Sequence, residues 1–94
     1  MTFTDILKSL DLDEALFQGG TLDVASPIDG KVFASVKMDN AASLDQKISD
    51  ATNAFQSWRT LPAPRRGELV RLLGEELRAN KEALGALVTM DCGK

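Results

Sequence analysis

The chain has no histidine, no tyrosine and a single cysteine among its 94 residues. Each absence closes a class of chemistry. A zinc centre draws three or four ligands from histidine, cysteine and carboxylates, and a Ser-His or Cys-His nucleophile pair needs an imidazole base. One cysteine rules out an internal disulfide framework, which points to a reducing, intracellular setting. No apolar run approaches the roughly 18 residues of a membrane span. The opening Met1 to Leu10 lacks the basic start and long apolar stretch of a signal peptide. These features predict a cytoplasmic protein with no membrane association.

Basic charge is also scarce. Eleven basic against 14 acidic side chains give a net charge of −3. That balance disfavours a phosphate-backbone binder, so no nucleic-acid partner is expected. With 44% apolar and 27% charged residues the composition is globular. A chain of this length buries only roughly 60 to 70% of the surface exposed when it is unfolded, so its core is thin.

The pattern that is present predicts a mainly α-helical segment with one β-hairpin. One helix over 4–17, or two short turns, is expected, capped at Thr4 and interrupted near Asp11 to Asp13, where acidic capping residues cluster; Gly19-Gly20 ends it. Leu22 and Val24, then Asp29-Gly30, then Val32 to Val36 predict a hairpin over 21–38. Leu44, Ile48, Ala51, Phe55 and Trp58 recur at steps of 4, 3, 4 and 3. This predicts a helix over 43–59, entered through Ser43 with Gln46 completing a capping box and its apolar stripe in a core.

The Leu61-Pro62-Ala63-Pro64 stretch separates that helix from a third over 64–79, which carries Leu69, Val70, Leu72, Leu73 and Leu77. A fourth is expected over 80–92, capped by Asn80 and stopped by Gly93. Gly67, Gly74 and Gly85 lie inside these helices, where each costs up to ~1 kcal/mol relative to alanine, and close packing against another element is the expected use.

Cys92, beside Lys94, is the one residue whose type suggests a nucleophile, yet no histidine exists to serve as its base. Gly93-Lys94 lacks the first glycine of a phosphate loop, because Val88 stands in that position. Arg59, Arg65, Arg66, Arg71 and Arg78 are interleaved with Glu68, Glu75, Glu76 and Glu82 at spacings that favour pairing along a solvated helix face. Read from its residues, the segment has no catalytic, cofactor-binding or metal-binding residue.

From Ser26 to Lys94 the sequence resembles the N-terminal part of the aldehyde dehydrogenase superfamily. Ser26-Pro27-Ile28-Asp29-Gly30-Lys31-Val32 resembles the family's Asn-Pro-Ala-Thr-Gly-Glu-Val hairpin. Ala51 to Trp58 resembles its alanine-rich helix ending in Phe-x-x-Trp, and Met90-Asp91-Cys92-Gly93-Lys94 resembles its Leu-Glu-x-Gly-Lys. Leu61 to Arg71 and Leu84 to Val88 are most similar to the antiquitin-like branch, which oxidises 2-aminoadipate 6-semialdehyde, the open form of piperideine-6-carboxylate.

The resemblance implies an α/β family fold with a Rossmann-like cofactor domain, of which residues 1–94 would be the N-terminal part. It implies NAD or NADP as cofactor, an aldehyde substrate, a homodimer or homotetramer, and the remainder of the dehydrogenase chain as packing partner. In the family a cysteine thiolate attacks the aldehyde, hydride passes to the nicotinamide, and a glutamate-activated water hydrolyses the thioester. Cys92 does not match the motif of that nucleophile, and the catalytic and oligomerisation regions are expected beyond Lys94. The segment alone is then expected to be inactive scaffold. A stand-alone helical interaction module, or a complementing fragment of a split enzyme, is the alternative.

Overall fold

The structure is a computed structural model that describes residues 1–94. Its elements are, in order, α1 (Phe3–Ser9), a 3-10 turn (Glu14–Phe17), β1 (Leu22–Ala25), β2 (Val32–Val36), α2 (Ala41–Trp58), α3 (Ala63–Ala79) and α4 (Lys81–Cys92). Four helices and one antiparallel hairpin agree with the expected helical character. They fall into two units: Met1–Met38 with Asn80–Lys94, and Asp39–Ala79.

Of the two forms expected over 4–17 the structure shows the interrupted one, a short helix and a 3-10 turn separated at Leu10 to Asp13. The cap of the helix is Thr2 rather than Thr4: the Thr2 hydroxyl accepts from the Asp5 N–H at 3.1 Å and the Asp5 carboxylate accepts from the Thr2 N–H at 3.0 Å. After Ser9 the chain turns out through Asp11, which has φ of 55°. The Leu12 N–H then donates to the Leu7 carbonyl at 2.9 Å and the Asp11 N–H to the Lys8 carbonyl at 3.2 Å. This pair of bonds is a Schellman ending with aspartate in the left-handed position normally given to glycine. Asp13 begins a new turn by accepting from the Ala15 N–H at 3.0 Å. The left-handed backbone at Asp11 and the side-chain bond of Asp13 therefore override the helical spacing of the leucines.

In the hairpin, Leu22 pairs with Val36, Asp23 with Ser35, Val24 with Ala34 and Ala25 with Val32, so Phe33 is the extra residue of a bulge. The turn is longer than a two-residue Asp-Gly loop. The Ser26 N–H donates to the Lys31 carbonyl at 3.0 Å and the Gly30 N–H to the Ser26 carbonyl at 2.8 Å. Gly30 takes φ of 71°, and the Asp29 carboxylate accepts from the Lys31 N–H at 3.0 Å. Upstream, Gly20 lies so close to the Val36 backbone that a side chain there would overlap it.

The buried centre of this unit is small: Ile6 is fully buried, and Leu7 and Ala83 nearly so. Ile6 and Leu7 come from α1 and Ala83 from α4, and these two helices pack together. The Phe3 ring meets Phe33 edge-on at 5.1 Å between centroids and Phe17 at 5.8 Å, tying α1 to β2 and to the 3-10 turn. Gly93, with φ of 74°, ends α4 and donates its N–H to the Thr89 carbonyl at 2.8 Å.

In the second unit α2 starts two residues before the expected position. Asn40, not Ser43, is the cap: its side-chain oxygen accepts from the Ser43 N–H at 2.8 Å, and the Ser43 hydroxyl accepts from the Asn40 N–H at 2.9 Å. Ser43 thus fills the position-three role of a capping box, while Gln46 bonds instead to Asp50 at 2.8 Å. Pro62 supplies the first carbonyl of α3 to Arg66 at 3.2 Å. Pro64 sits at the second helical position, where its missing N–H would have had no intrahelical partner.

Neither α2 nor α3 buries a residue. The expected core stripe on α2 is instead open to solvent, with Leu44, Ile48 and Phe55 each about half exposed and Trp58 37% exposed. Leu69, Val70, Leu72, Leu73 and Leu77 of α3 are equally exposed. The spacing of these residues directs them to one face of each helix, and within this unit that face is not buried. Gly67, Gly74 and Gly85 face open space, against the expectation that each makes room for a neighbouring element.

Candidate functional site

The residues that invited a chemical reading lie in two places: Cys92 with Gly93-Lys94 at the end of α4, and the arginines on and beside α3. Cys92 is exposed at the end of α4, its thiol donating to the Val88 carbonyl of its own helix at 3.1 Å. The nearby Thr89 hydroxyl has its one hydrogen within reach of two carbonyl oxygens, Gly85 at 3.1 Å and Lys94 at 2.7 Å. The Cys92 bond and the Thr89 bond to Gly85 run back along α4 itself, whose cap is the Gly93 N–H on the Thr89 carbonyl.

The arginines of α3 divide by pairing. Arg71 makes a two-pronged bond to Glu68 at 3.0 and 2.7 Å, and Arg78 bonds Glu75 at 2.7 Å, both at i,i+3 spacing. The Arg71 guanidinium holds the Glu68 carboxyl below its usual range, and Glu68 raises Arg71 in return. Both pairs are solvent-exposed and contribute little to stability. Arg59 lies over the Phe55 ring at 5.9 Å from its centroid.

Each unit has one larger cleft. In the first, a cleft of about 630 Å³ is lined mainly by Phe3, Ile28, Val32, Phe33, Ala86 and Met90. Ser26 at its edge is 7% exposed, and its hydroxyl oxygen accepts from the Ile28 N–H at 3.3 Å, a bond internal to the hairpin turn. In the second, a cleft of about 830 Å³ is lined by Ala51, Ala54, Phe55, Ser57, Trp58, Thr60 and Leu61 at the end of α2. No group of three or more histidine, cysteine, aspartate or glutamate side chains is arranged to hold a metal ion. No helix is long and apolar enough to cross a membrane.

A dinucleotide would be gripped by a glycine-rich turn leading from a parallel strand to a helix N-terminus. The strand-to-helix passage here is different. β2 is one arm of an antiparallel hairpin, and it leads to α2 through Asp39-Asn40. Asn40 takes the Ser43 N–H, and the Asp39 carboxylate accepts from the Ser43 hydroxyl at 3.0 Å and pairs with Lys47 at 2.8 Å. A carboxylate at that helix start repels a phosphate, so these residues do not fit a pyrophosphate cradle.

The fold is thus four helices and one hairpin, with exposed apolar residues along α2 and α3. The sequence model of the aldehyde dehydrogenase family matches residues 16–94, and the chain belongs to that family. The match starts ten residues before the motif series at Ser26, so it takes in the end of the 3-10 turn and the Gly19-Gly20 pair.

Among curated relatives, aldehyde dehydrogenase family 7 member A1 of Pisum sativum is 38% identical over 76 residues, which are 81% of this chain and 15% of the relative. Alpha-aminoadipic semialdehyde dehydrogenase of Bos taurus is 32% identical over 77 residues, 82% of this chain and 14% of the relative. Malonate-semialdehyde dehydrogenase of Halalkalibacterium halodurans is 37% identical over 76 residues, 81% of this chain and 16% of the relative. The chain thus spans about 15% of the length of these relatives. The first two support the antiquitin-like branch that the motifs resemble.

Proposed function

We propose that this sequence is scaffold within an NAD(P)-dependent aldehyde dehydrogenase that oxidises an aldehyde to a carboxylate, and that residues 1–94 alone are inactive. In that reading they form the N-terminal part of the cofactor-binding domain. The observation that carries the reading is the family match over residues 16–94. The open apolar faces of α2 and α3 support it, because they are surfaces that the rest of a larger enzyme would cover.

The substrate we favour is 2-aminoadipate 6-semialdehyde, on the strength of the similarity to the pea and cattle proteins. A second short-chain semialdehyde is favoured by one specific observation, the 37% identity to the malonate-semialdehyde enzyme. Hydride would pass to NAD or NADP, and the complete protein would assemble as a homodimer or homotetramer in the cytoplasm.

Isolation of the native polypeptide tests the proposal. The expected product has a mass several-fold above 10.2 kDa and reduces NAD or NADP when given 2-aminoadipate semialdehyde or malonate semialdehyde. A native polypeptide of 10.2 kDa, free of any dehydrogenase partner and without activity, would overturn it.

A further inference from the structure

We draw no further inference here: the strongest candidate, the exposed apolar face that Leu44, Ile48, Phe55 and Trp58 form along α2, carries nothing beyond the proposed function because nothing in the structure shows what covers it.

Discussion

Replacing Gly20 by alanine tests how tightly the first unit is closed. The added Cβ would meet the amide nitrogen, carbonyl carbon and carbonyl oxygen of Val36 closer than real Cβ atoms come. These are backbone atoms of β2, fixed by pairing with Leu22, so no rotamer change relieves the overlap. The segment at Gly20, just before β1, must move away, and overpacking of this kind costs about 1–3 kcal/mol. The same movement breaks the 2.8 Å bond from the Gly20 N–H to the Ser35 hydroxyl, worth about 1 kcal/mol. The expected loss is about 2–4 kcal/mol, a large share of the 5–15 kcal/mol typical of a domain.

Two controls separate the causes. Gly19→Ala meets no atom within 4 Å and suffers only from its φ of 68°, about 1–2 kcal/mol. Ser35→Ala removes the hydrogen bond alone, about 1 kcal/mol. Amide exchange at Val36, read by mass spectrometry or NMR, reports the opening of this hairpin directly. Gly20→Ala combined with Ser35→Ala should cost little more than Gly20→Ala, since both remove one bond. A Gly20→Ala protein within about 0.5 kcal/mol of the parent, or one less affected than Gly19→Ala, would refute the reasoning.

Gly74→Ala should change sign with context: in the 94-residue chain, where Gly74 faces open space, it stabilises α3 by about 1 kcal/mol on chemical denaturation. In the complete enzyme the same change should lower stability; an equal gain in both would refute the covering of that face. The Asp5 carboxyl is held below its ordinary value, first by the Thr2 backbone N–H and then by the Thr2 side chain. A depressed acid contributes stability above its unfolded value of about 3.9 and loses it as pH falls through the folded value. Exchange of the Ile6 amide, which bonds the Thr2 carbonyl at 3.0 Å, should therefore speed up below about pH 4 relative to Asp5→Asn, and pH-independent protection would refute the assignment. Finally, in the longer dehydrogenase proposed above, Cys92→Ser should leave kcat for aldehyde oxidation within about twofold, whereas loss of a nucleophile costs about 10⁴ or more.

Local features of the fold were legible where one residue dictates a conformation. The Asp29-Gly30 pair placed the hairpin turn, and Gly93 stopped α4 in the left-handed conformation that glycine favours. Capping was less legible, because serine, threonine, aspartate and asparagine compete for the same role within a few residues. Asn40 outcompetes Ser43 once both side chains bond reciprocally, and Thr2 outcompetes Thr4 for the same reason. The break near Asp11 to Asp13 was legible from the cluster of acidic capping residues, which interrupts the loose helical spacing of Ile6, Leu10 and Leu16. The aromatic contact of Phe3 with Phe17 and Phe33 had no local signal, since it joins residues 14 and 30 positions apart.

The stripe on α2 shows what periodicity measures. A spacing of 4, 3, 4 and 3 says that Leu44, Ile48, Ala51, Phe55 and Trp58 share a helix face, and the structure places them on an α-helix that runs unbroken from Ala41 to Trp58. It does not say what lies opposite. Burial is a property of two surfaces, and the sequence of one helix encodes only the first. Ile6 and Leu7 are buried because α4 supplies Ala83 against α1, whereas Phe55 remains 53% exposed. Burying a leucine, isoleucine or phenylalanine side chain contributes roughly 1.5–3 kcal/mol, so an open stripe of four large apolar residues leaves several kcal/mol unrealised. α3 repeats the situation with five more, and open space around Gly67 and Gly74 lies on the same helix. A third of the chain lies in helices with no buried residue, and a second surface over them, as the proposed function would supply, is what would realise that energy.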